Sequence, residues 1–202
     1  MKKCYRFFGG FLDAQEKWLN RMAQKGYRLV RAGKISYHFE ECQPGEYHYA
    51  VEFVGQQGYR SGEEYKQFLE ELGYKVFYKN INLNISVGKV RWRPYGKGMG
   101  QISTSPGSYN RELLIVEKEN DGKPFELHST NLDKANYYKP LRNAWLTIAA
   151  LILAFIAWEY VDKGFVSSKI IVLGMAGVLC FIPVIRYQKR ISSFMQCSRI
   201  EE

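Results

Sequence analysis

Cysteine and histidine are scarce in this 202-residue sequence, which contains four and three of them respectively. So few cysteines exclude a disulfide scaffold, and the chain has no Cys-x-x-Cys pair, so we expect no zinc site built on thiolates. Aromatic residues, in contrast, make up 15% of the chain. That content excludes an intrinsically disordered chain, which would be poor in aromatics. The composition predicts a folded protein with reduced thiols, no bound metal and no cofactor.

Charged residues are missing from two 16-residue runs near the C-terminus, 143–158 and 170–185. As a helix, each run would span about 24 Å, slightly less than the roughly 30 Å of a bilayer core. Uncharged neighbours extend both runs, and aromatic residues stand at the run ends, as in an interfacial belt. The runs therefore predict a transmembrane helical hairpin. The alternative is a buried hairpin in a soluble protein, but a domain of this size has too little core to surround two such helices.

Lysine and arginine flank these runs unevenly. Close to the outer ends of the runs lie seven of them, and between the runs lie two: Lys134, Lys139, Arg142, Arg186, Lys189, Arg190 and Arg199, against Lys163 and Lys169. The positive-inside rule then places both termini in the cytoplasm. The basic start at Lys2 and Lys3 is not followed by an apolar stretch, so we expect no signal peptide. We predict a multi-pass plasma-membrane protein with this division: a cytosolic α+β domain (1–128), a juxtamembrane linker (129–142), a transmembrane hairpin (143–187) and a basic cytosolic tail (188–202).

The N-terminal domain contains an internal repeat. The segments WLNRMAQKGYRLV and YKQFLEELGYKVF align with Gly26-Tyr27 against Gly73-Tyr74. Each reads as an amphipathic helix that ends at glycine, with a strand before it and a strand pair after it. Capping boxes are predicted at Asp13/Glu16 and Ser61/Glu64. We expect an α+β fold in which tandem strand–helix–strand–strand units share one antiparallel sheet, followed by the two-helix hairpin.

Two predicted hairpins complete the sheet. The first turns at Gln43-Pro44-Gly45, and strict alternation around it places aromatic residues under the helices and polar residues on the open face. A further hairpin pairs 111–118 with 124–127 around an Asp-Gly turn. The last strand of the second repeat is expected within 85–92.

The stretch from Trp18 to Tyr27 (WLNRMAQKGY), together with Pro-Gly-Glu-Tyr at 44–47 and Val-Glu-Phe at 51–53, resembles the bacterial domain-of-unknown-function family 2812. The resemblance covers about residues 5–80 and leaves 80–128 outside. It implies a small protein with C-terminal transmembrane helices, often found beside PadR-type transcription regulators. No activity is established for this family, so the resemblance supplies no catalytic residues. The tandem units also resemble, at the level of fold alone, the GyrI-like domains that bind cationic compounds in a cleft between two units.

Two sets of residues are candidates for binding. The open face of the first hairpin offers a set that suits a small cationic or hydrophobic ligand, with a metal site or an ordinary solvated face as alternatives: His38, Glu40, His48 and Glu52. The second set is a basic stripe for lipid headgroups or another anion, with a solvated face as the alternative: Lys89, Arg91 and Arg93. The glycine-rich loop 95–100 lacks the Walker spacing and carries no phosphate-site prediction.

The sequence shows no nucleophile next to a residue that could act as its general base, and no two acidic residues with the spacing of a catalytic pair. We therefore expect no enzyme. Acidic pairs interrupt the basic charge, so we expect no nucleic-acid partner. The expected partners are the lipid bilayer, a small hydrophobic or cationic ligand and a membrane protein. The sequence favours a membrane-anchored binding or sensing module, linked through the family resemblance to a PadR-type system. The alternative is an accessory or regulatory subunit of a membrane complex such as a transporter.

Overall fold

The computed structural model describes residues 1–55, 59–96, 101–103, 112–123, 125, 127, 130–163 and 168–201. The chain forms two compact units, residues 1–128 and 129–202. The first is an α+β unit with three small antiparallel sheets, and the second is a pair of long helices. The predicted α+β class with a C-terminal helical hairpin is confirmed.

The first repeat comprises β1 (Lys2–Tyr5), α1 (Leu12–Gln24), β2 (Tyr27–Ala32) and β3 (Ser36–Glu41). β3 lies between β1 and β2 and is antiparallel to both. The predicted glycine cap is confirmed, since Gly26 ends α1 with a φ of +78° and its N–H bonds to the carbonyl of Ala23. A Cβ at Gly26 would lie 2.9 Å from the carbonyl oxygen of Cys42, so this position requires glycine.

The second repeat has the same topology with an insertion. It comprises β4 (Tyr47–Phe53), α2 (Tyr59–Glu71) and β5 (Lys75–Lys79), followed by a small meander of β6 (Ile85–Val87), β7 (Val90–Trp92) and β8 (Ile102–Ser103), and then β9 (Leu113–Glu119). β9 lies between β4 and β5 and is antiparallel to both. The repeat therefore closes with β9 rather than with the 85–92 segment, which pairs within the meander. The hairpin partner expected for β9 at 124–127 lies partly outside the described residues.

The first predicted hairpin is not formed. β3 belongs to one three-stranded sheet and β4 to another, because both edges of β3 are already occupied by β1 and β2. The two repeats thus build separate sheets rather than one continuous sheet. The turn at Gln43-Pro44-Gly45 carries the chain from one sheet to the other, and the N–H of Gly45 bonds to the carbonyl of Ala23 at the end of α1.

Two clusters of apolar side chains hold the helices in place. Trp18 of α1 packs edge-on against Tyr37 and Phe39 of β3, at ring-centroid distances of 4.8 and 5.6 Å. α2 contributes Leu69 to a second core, whose buried members are Val54, Leu69, Val76, Leu114 and Val116. The apolar face of the amphipathic helix predicted here is only partly buried, since Phe68 and Leu72 of α2 are exposed. Each repeat therefore covers one face of a sheet with its own helix.

Polar side chains of α1 occupy the outer edge of β4. Asn20 donates its amide N–H to the carbonyl of Tyr49 and accepts the N–H of the same residue, both at 2.8 Å. Glu16 Oε2 accepts the N–H of Val51 at 2.9 Å. These bonds replace those that a neighbouring strand would make, so α1 closes an edge that would otherwise invite strand addition. α1 begins at Leu12 and α2 at Tyr59, so Asp13 and Ser61 lie inside the helices, and neither predicted capping box sits at a helix start.

A buried lysine joins the two sheets at the other end. Lys79 of β5 donates to the carbonyls of Gly33 and Lys34, beyond β2, at 2.7 and 2.8 Å. Its ammonium lies 4.5 Å from the ring centroid of Tyr37. Burial disfavours the charged form and lowers the pKa of Lys79 to about 8.

The second unit consists of α3 (Asn131–Lys163) and α4 (Ser168–Glu201). Thr130 caps α3, because its hydroxyl accepts the N–H of Asp133 while the Asp133 carboxylate accepts the N–H of Thr130. Residues 131–142 and 188–201, expected as a linker and a tail, are continuous parts of these helices. Arg142 meets Gln188 and Ile152 lies against Gly177, so the two helices run antiparallel. Both are long and apolar enough to cross a membrane.

We expect Asn20→Leu to lower the free energy of unfolding by about 1–3 kcal/mol, because it leaves the N–H and carbonyl of buried Tyr49 without partners. Urea unfolding of the full-length protein in detergent, followed by near-ultraviolet circular dichroism, measures the change. Asn20→Asp keeps the acceptor and should lose less. Gln24→Ala, exposed on the same helix, is the control; an equal loss in this control would refute the edge role of Asn20.

Candidate functional site

The four residues predicted as one ligand-binding face lie on two different sheets. His38 and Glu40 belong to β3, whereas His48 and Glu52 belong to β4. Glu52 accepts the hydroxyl of Tyr65 from α2 at 2.7 Å, so it sits on the helix-covered side of its sheet. Of the four, Glu40 lines the cleft described below. Among the described residues, the structure brings together no group of three or more His, Cys, Asp or Glu that could hold a metal ion.

The predicted basic stripe is turned largely inward. Arg91 is buried, Arg93 lies 3.7 Å from the buried carboxylate of Glu112, and Lys89 is exposed. Glu112 also accepts the hydroxyl of Tyr95 at 2.8 Å and the N–H of Ile81 at 3.0 Å. A buried carboxylate requires such donors, which explains the inward position of Arg93, while Val90 and Trp92 of β7 are exposed.

An open cleft lies where the chain passes from the first sheet to the second. Its volume is about 590 Å³. It is bordered by β2, the end of β3, the connecting turn and the start of β4, through these residues: Arg28, Glu40, Glu41, Cys42, Gln43, Pro44, Glu46 and Tyr47. The cleft therefore combines three carboxylates, one aromatic ring and one guanidinium.

A buried polar network forms the back of this cleft. Glu117 of β9 is 3% exposed, and its Oε1 accepts Arg28 Nε at 2.9 Å and Nη2 at 2.8 Å. Its Oε2 accepts the hydroxyl of Tyr49 at 2.7 Å, and that hydroxyl accepts the N–H of Leu29 at 2.7 Å. One carboxylate thus connects β9, β4 and β2. Sequence reasoning missed Glu117, although a carboxylate within the apolar strand LLIVEKE was a signal.

The electrostatics of the cleft follow from this network. The hydrogen bond from Arg28 to Glu117 raises the pKa of the Arg28 guanidinium, and burial beside Glu117 raises the pKa of the Tyr49 hydroxyl. Burial and the neighbouring Glu46 raise the pKa of the Cys42 thiol, so this cysteine stays protonated and is a poor nucleophile.

The Arg28 guanidinium forms its ion pair with Glu117 and also lies 3.9 Å from the carboxylate of Glu40. It stacks on Tyr47, 4.3 Å from the ring centroid. Glu41 and Glu46 add two further carboxylates to the rim, and Glu46 Oε2 accepts the N–H of Gln43. The cleft therefore carries more negative than positive charge, and the ring of Tyr47 in its wall is covered by Arg28. The excess of negative charge suits a cation.

We expect Tyr49→Phe to lower the free energy of unfolding by about 1–3 kcal/mol for each of the two buried groups that it leaves unpaired, the Leu29 N–H and Glu117 Oε2. Urea unfolding of the full-length protein in detergent provides the measurement. Tyr5→Phe, which removes an exposed hydroxyl, is the matched control. Equal stability of the two variants would contradict the role of the network.

Comparison with known proteins returns one family. The family described as "Protein of unknown function (DUF2812)" matches residues 11–150. The match includes the 80–128 region, which the sequence resemblance had left outside, and it extends into α3. Neither the curated proteins nor the solved structures contain a significant match. Since more than half of the chain is matched, this protein belongs to the DUF2812 family.

Proposed function

We propose that this protein is a membrane-anchored binding module, in which the helical unit is the anchor and the cleft of the α+β unit binds a small organic cation. The observation that carries the binding role is the cleft itself, with carboxylates at its rim, the ring of Tyr47 in its wall and the Arg28–Glu117 pair behind it. Glu112 and Glu117, the most deeply buried carboxylates described, are already hydrogen-bonded, which favours binding over catalysis.

The exposure of the long helices supports the anchor. The most apolar 18-residue windows of α3 and α4 have mean hydropathies of 1.9 and 2.2, yet only 11% of each window is buried. A core helix of a soluble protein would be mostly covered. Trp158 and Val161 of α3 and Val178 of α4 are more than two-thirds exposed. A bilayer would cover this surface.

The ends of the helices support the proposed orientation. At 1.5 Å per residue each helix is about 50 Å long, well beyond the roughly 30 Å of a bilayer core. Beyond the apolar windows, Tyr138 packs against Tyr187 and Phe194 of the partner helix. Arginine and lysine cluster at this end, which favours a cytoplasmic location for both termini of a plasma-membrane protein.

The cleft chemistry supports a cation as ligand. The rim carboxylates Glu40, Glu41 and Glu46 attract a positive charge by Coulomb interaction, most effectively when the ligand is itself only weakly hydrated. The open shape of the cleft suits a small molecule that remains partly in solvent. The family match covers both the α+β unit and the first part of α3, so the family includes both the cleft and part of the proposed anchor. The proposal includes a regulatory link to a PadR-type system, which is supported by the family resemblance alone.

A second function is favoured by one observation on α4. A Cβ at Gly177 would contact Ile152 of α3, whereas a Cβ at Gly174 would meet open space. Gly174 thus leaves a small-residue surface that a helix of another membrane protein would fit. In this alternative, the protein is an accessory subunit of a membrane complex.

For the anchor, we expect the full-length protein to remain in the membrane pellet after an alkaline carbonate wash. Val178→Arg places a charge in the middle of the apolar part of α4, which costs about 2.5–3.5 kcal/mol at the bilayer centre, and should increase the washed-off fraction. Ser192→Arg, outside the apolar run, is the control and should remain in the pellet. Release of the unmodified protein would contradict the anchor.

For the cleft, we expect benzyltrimethylammonium to bind the full-length protein in detergent, as measured by calorimetry. Glu46→Gln keeps the acceptor for Gln43 but removes the charge, and Glu41→Gln removes the charge of a second, exposed rim carboxylate. Each should weaken binding by about five- to tenfold. Glu71→Gln, exposed on α2, should leave the affinity unchanged, and benzoate should not bind. Equal binding of benzoate, or equal weakening by Glu71→Gln, would reject the cation site.

A further inference from the structure

One end of the first sheet carries exposed aromatic and aliphatic side chains among basic ones. Tyr5 is 66% exposed, Phe7 is 58% exposed, and Ile35, in the turn between β2 and β3, is 47% exposed. The N–H of Arg6 bonds to the carbonyl of Ile35, so these residues meet at the same end of the sheet. Exposed aromatics grouped in this way are unusual on a soluble surface and mark a contact site.

The strand register places basic side chains on the same face. Lys3 of β1 and Arg31 of β2 both pair with His38 of β3, so the three residues form a row across the sheet. Because side chains directly opposite in adjacent strands share a face, Lys3, His38 and Arg31 project together. Lys34, in the turn beside Ile35, is also exposed. We call the group of Lys3, Tyr5, Phe7, Arg31, Lys34 and Ile35 the basic-aromatic end.

Charge is distributed unequally along this sheet. Between residues 1 and 12 and between 26 and 36 the sequence contains no acidic residue. The acidic side chains of the sheet, Glu40 and Glu41, lie at the opposite end of β3, beside the cleft. The sheet thus has a cationic, aromatic end and an anionic end, a polarity that orients it against a negatively charged surface.

We propose that the basic-aromatic end binds an anionic lipid bilayer surface. The ring of Tyr5 suits the headgroup region, where its apolar body and its hydroxyl are both satisfied, and Phe7 adds apolar surface for the acyl boundary. Lysine and arginine attract anionic headgroups. Both contributions are present here within one end of a single sheet. The acidic end of the sheet is repelled by the same surface, which leaves the cleft facing solvent. This site is distinct from the cation cleft and does not depend on what the cleft binds.

Hydrogen exchange of the full-length protein in nanodiscs, one protein per disc, tests the proposal. We expect amides of residues 1–8 and 28–36 to exchange severalfold more slowly in discs with 30% phosphatidylglycerol than in pure phosphatidylcholine discs. The slowing should disappear in 0.5 M NaCl, because salt screens headgroup attraction. Lys3→Glu together with Arg31→Glu should abolish it, and Tyr5→Ser together with Phe7→Ser should reduce it.

Lys17→Glu together with Arg21→Glu is the matched control, since it makes the same charge change on two exposed positions of α1. It should leave the slowing intact. Exchange in residues 113–119 of β9 reports whether each variant keeps its fold, and it should be unchanged. Equal exchange in the two lipid compositions, or an equal loss of slowing in the Lys17→Glu and Arg21→Glu double variant, would overturn the proposal.

Discussion

The α+β unit depends on the neutralisation of one buried carboxylate. Glu117 lies in the middle strand of the second sheet, where it is almost fully removed from water. Its burial is tolerable only because Arg28 supplies the opposite charge and Tyr49 supplies a further hydrogen bond. Since Arg28 belongs to β2 in the other sheet, this requirement helps to fix the position of one repeat relative to the other, together with Lys79 and the bonds from α1 to β4. The cleft exists because the same side chains that satisfy Glu117 stand between the two sheets.

Unpaired strand edges impose the second constraint. Two separate three-stranded sheets have more edges than one continuous sheet, and each edge exposes backbone donors and acceptors. The protein covers them with side chains: Asn20 and Glu16 on β4, and the hydroxyl of Tyr49 on β2 at Leu29. Polar residues on the helices and strands that look ordinary in sequence therefore act as substitutes for missing strands. This arrangement also keeps the sheets apart by a layer of side chains, which leaves room for a cleft at their junction.

The two units differ in how they pair their polar groups and cover their apolar side chains. The α+β unit satisfies its polar groups internally and buries its apolar side chains between helices and sheets. The helical unit satisfies its backbone within α3 and α4 but leaves most of its apolar side chains uncovered, apart from the contact surface between the two helices. The proposed anchoring in a bilayer would resolve that contrast, because lipid covers apolar side chains and provides no partners for a backbone.

Local signals in the sequence determined the elements and their repeat. Gly26 and Gly73 mark the ends of α1 and α2 because a positive φ is inexpensive only for glycine, and the uncharged runs mark α3 and α4.

Only the tertiary structure decided strand order. The alternation on both sides of Gln43-Pro44-Gly45 fits a hairpin, but β3 found partners on both edges, and the last strand of the second repeat came from beyond the meander. Periodicity reports which side of a strand is buried and carries no information about which strand lies next to it. For the same reason, the sequence could not show that His38 and Glu40 lie on a different sheet from His48 and Glu52. The residues around the cleft come from β2, β3, β4 and β9, and the Arg28–Glu117 pair that joins them spans 89 positions of the chain.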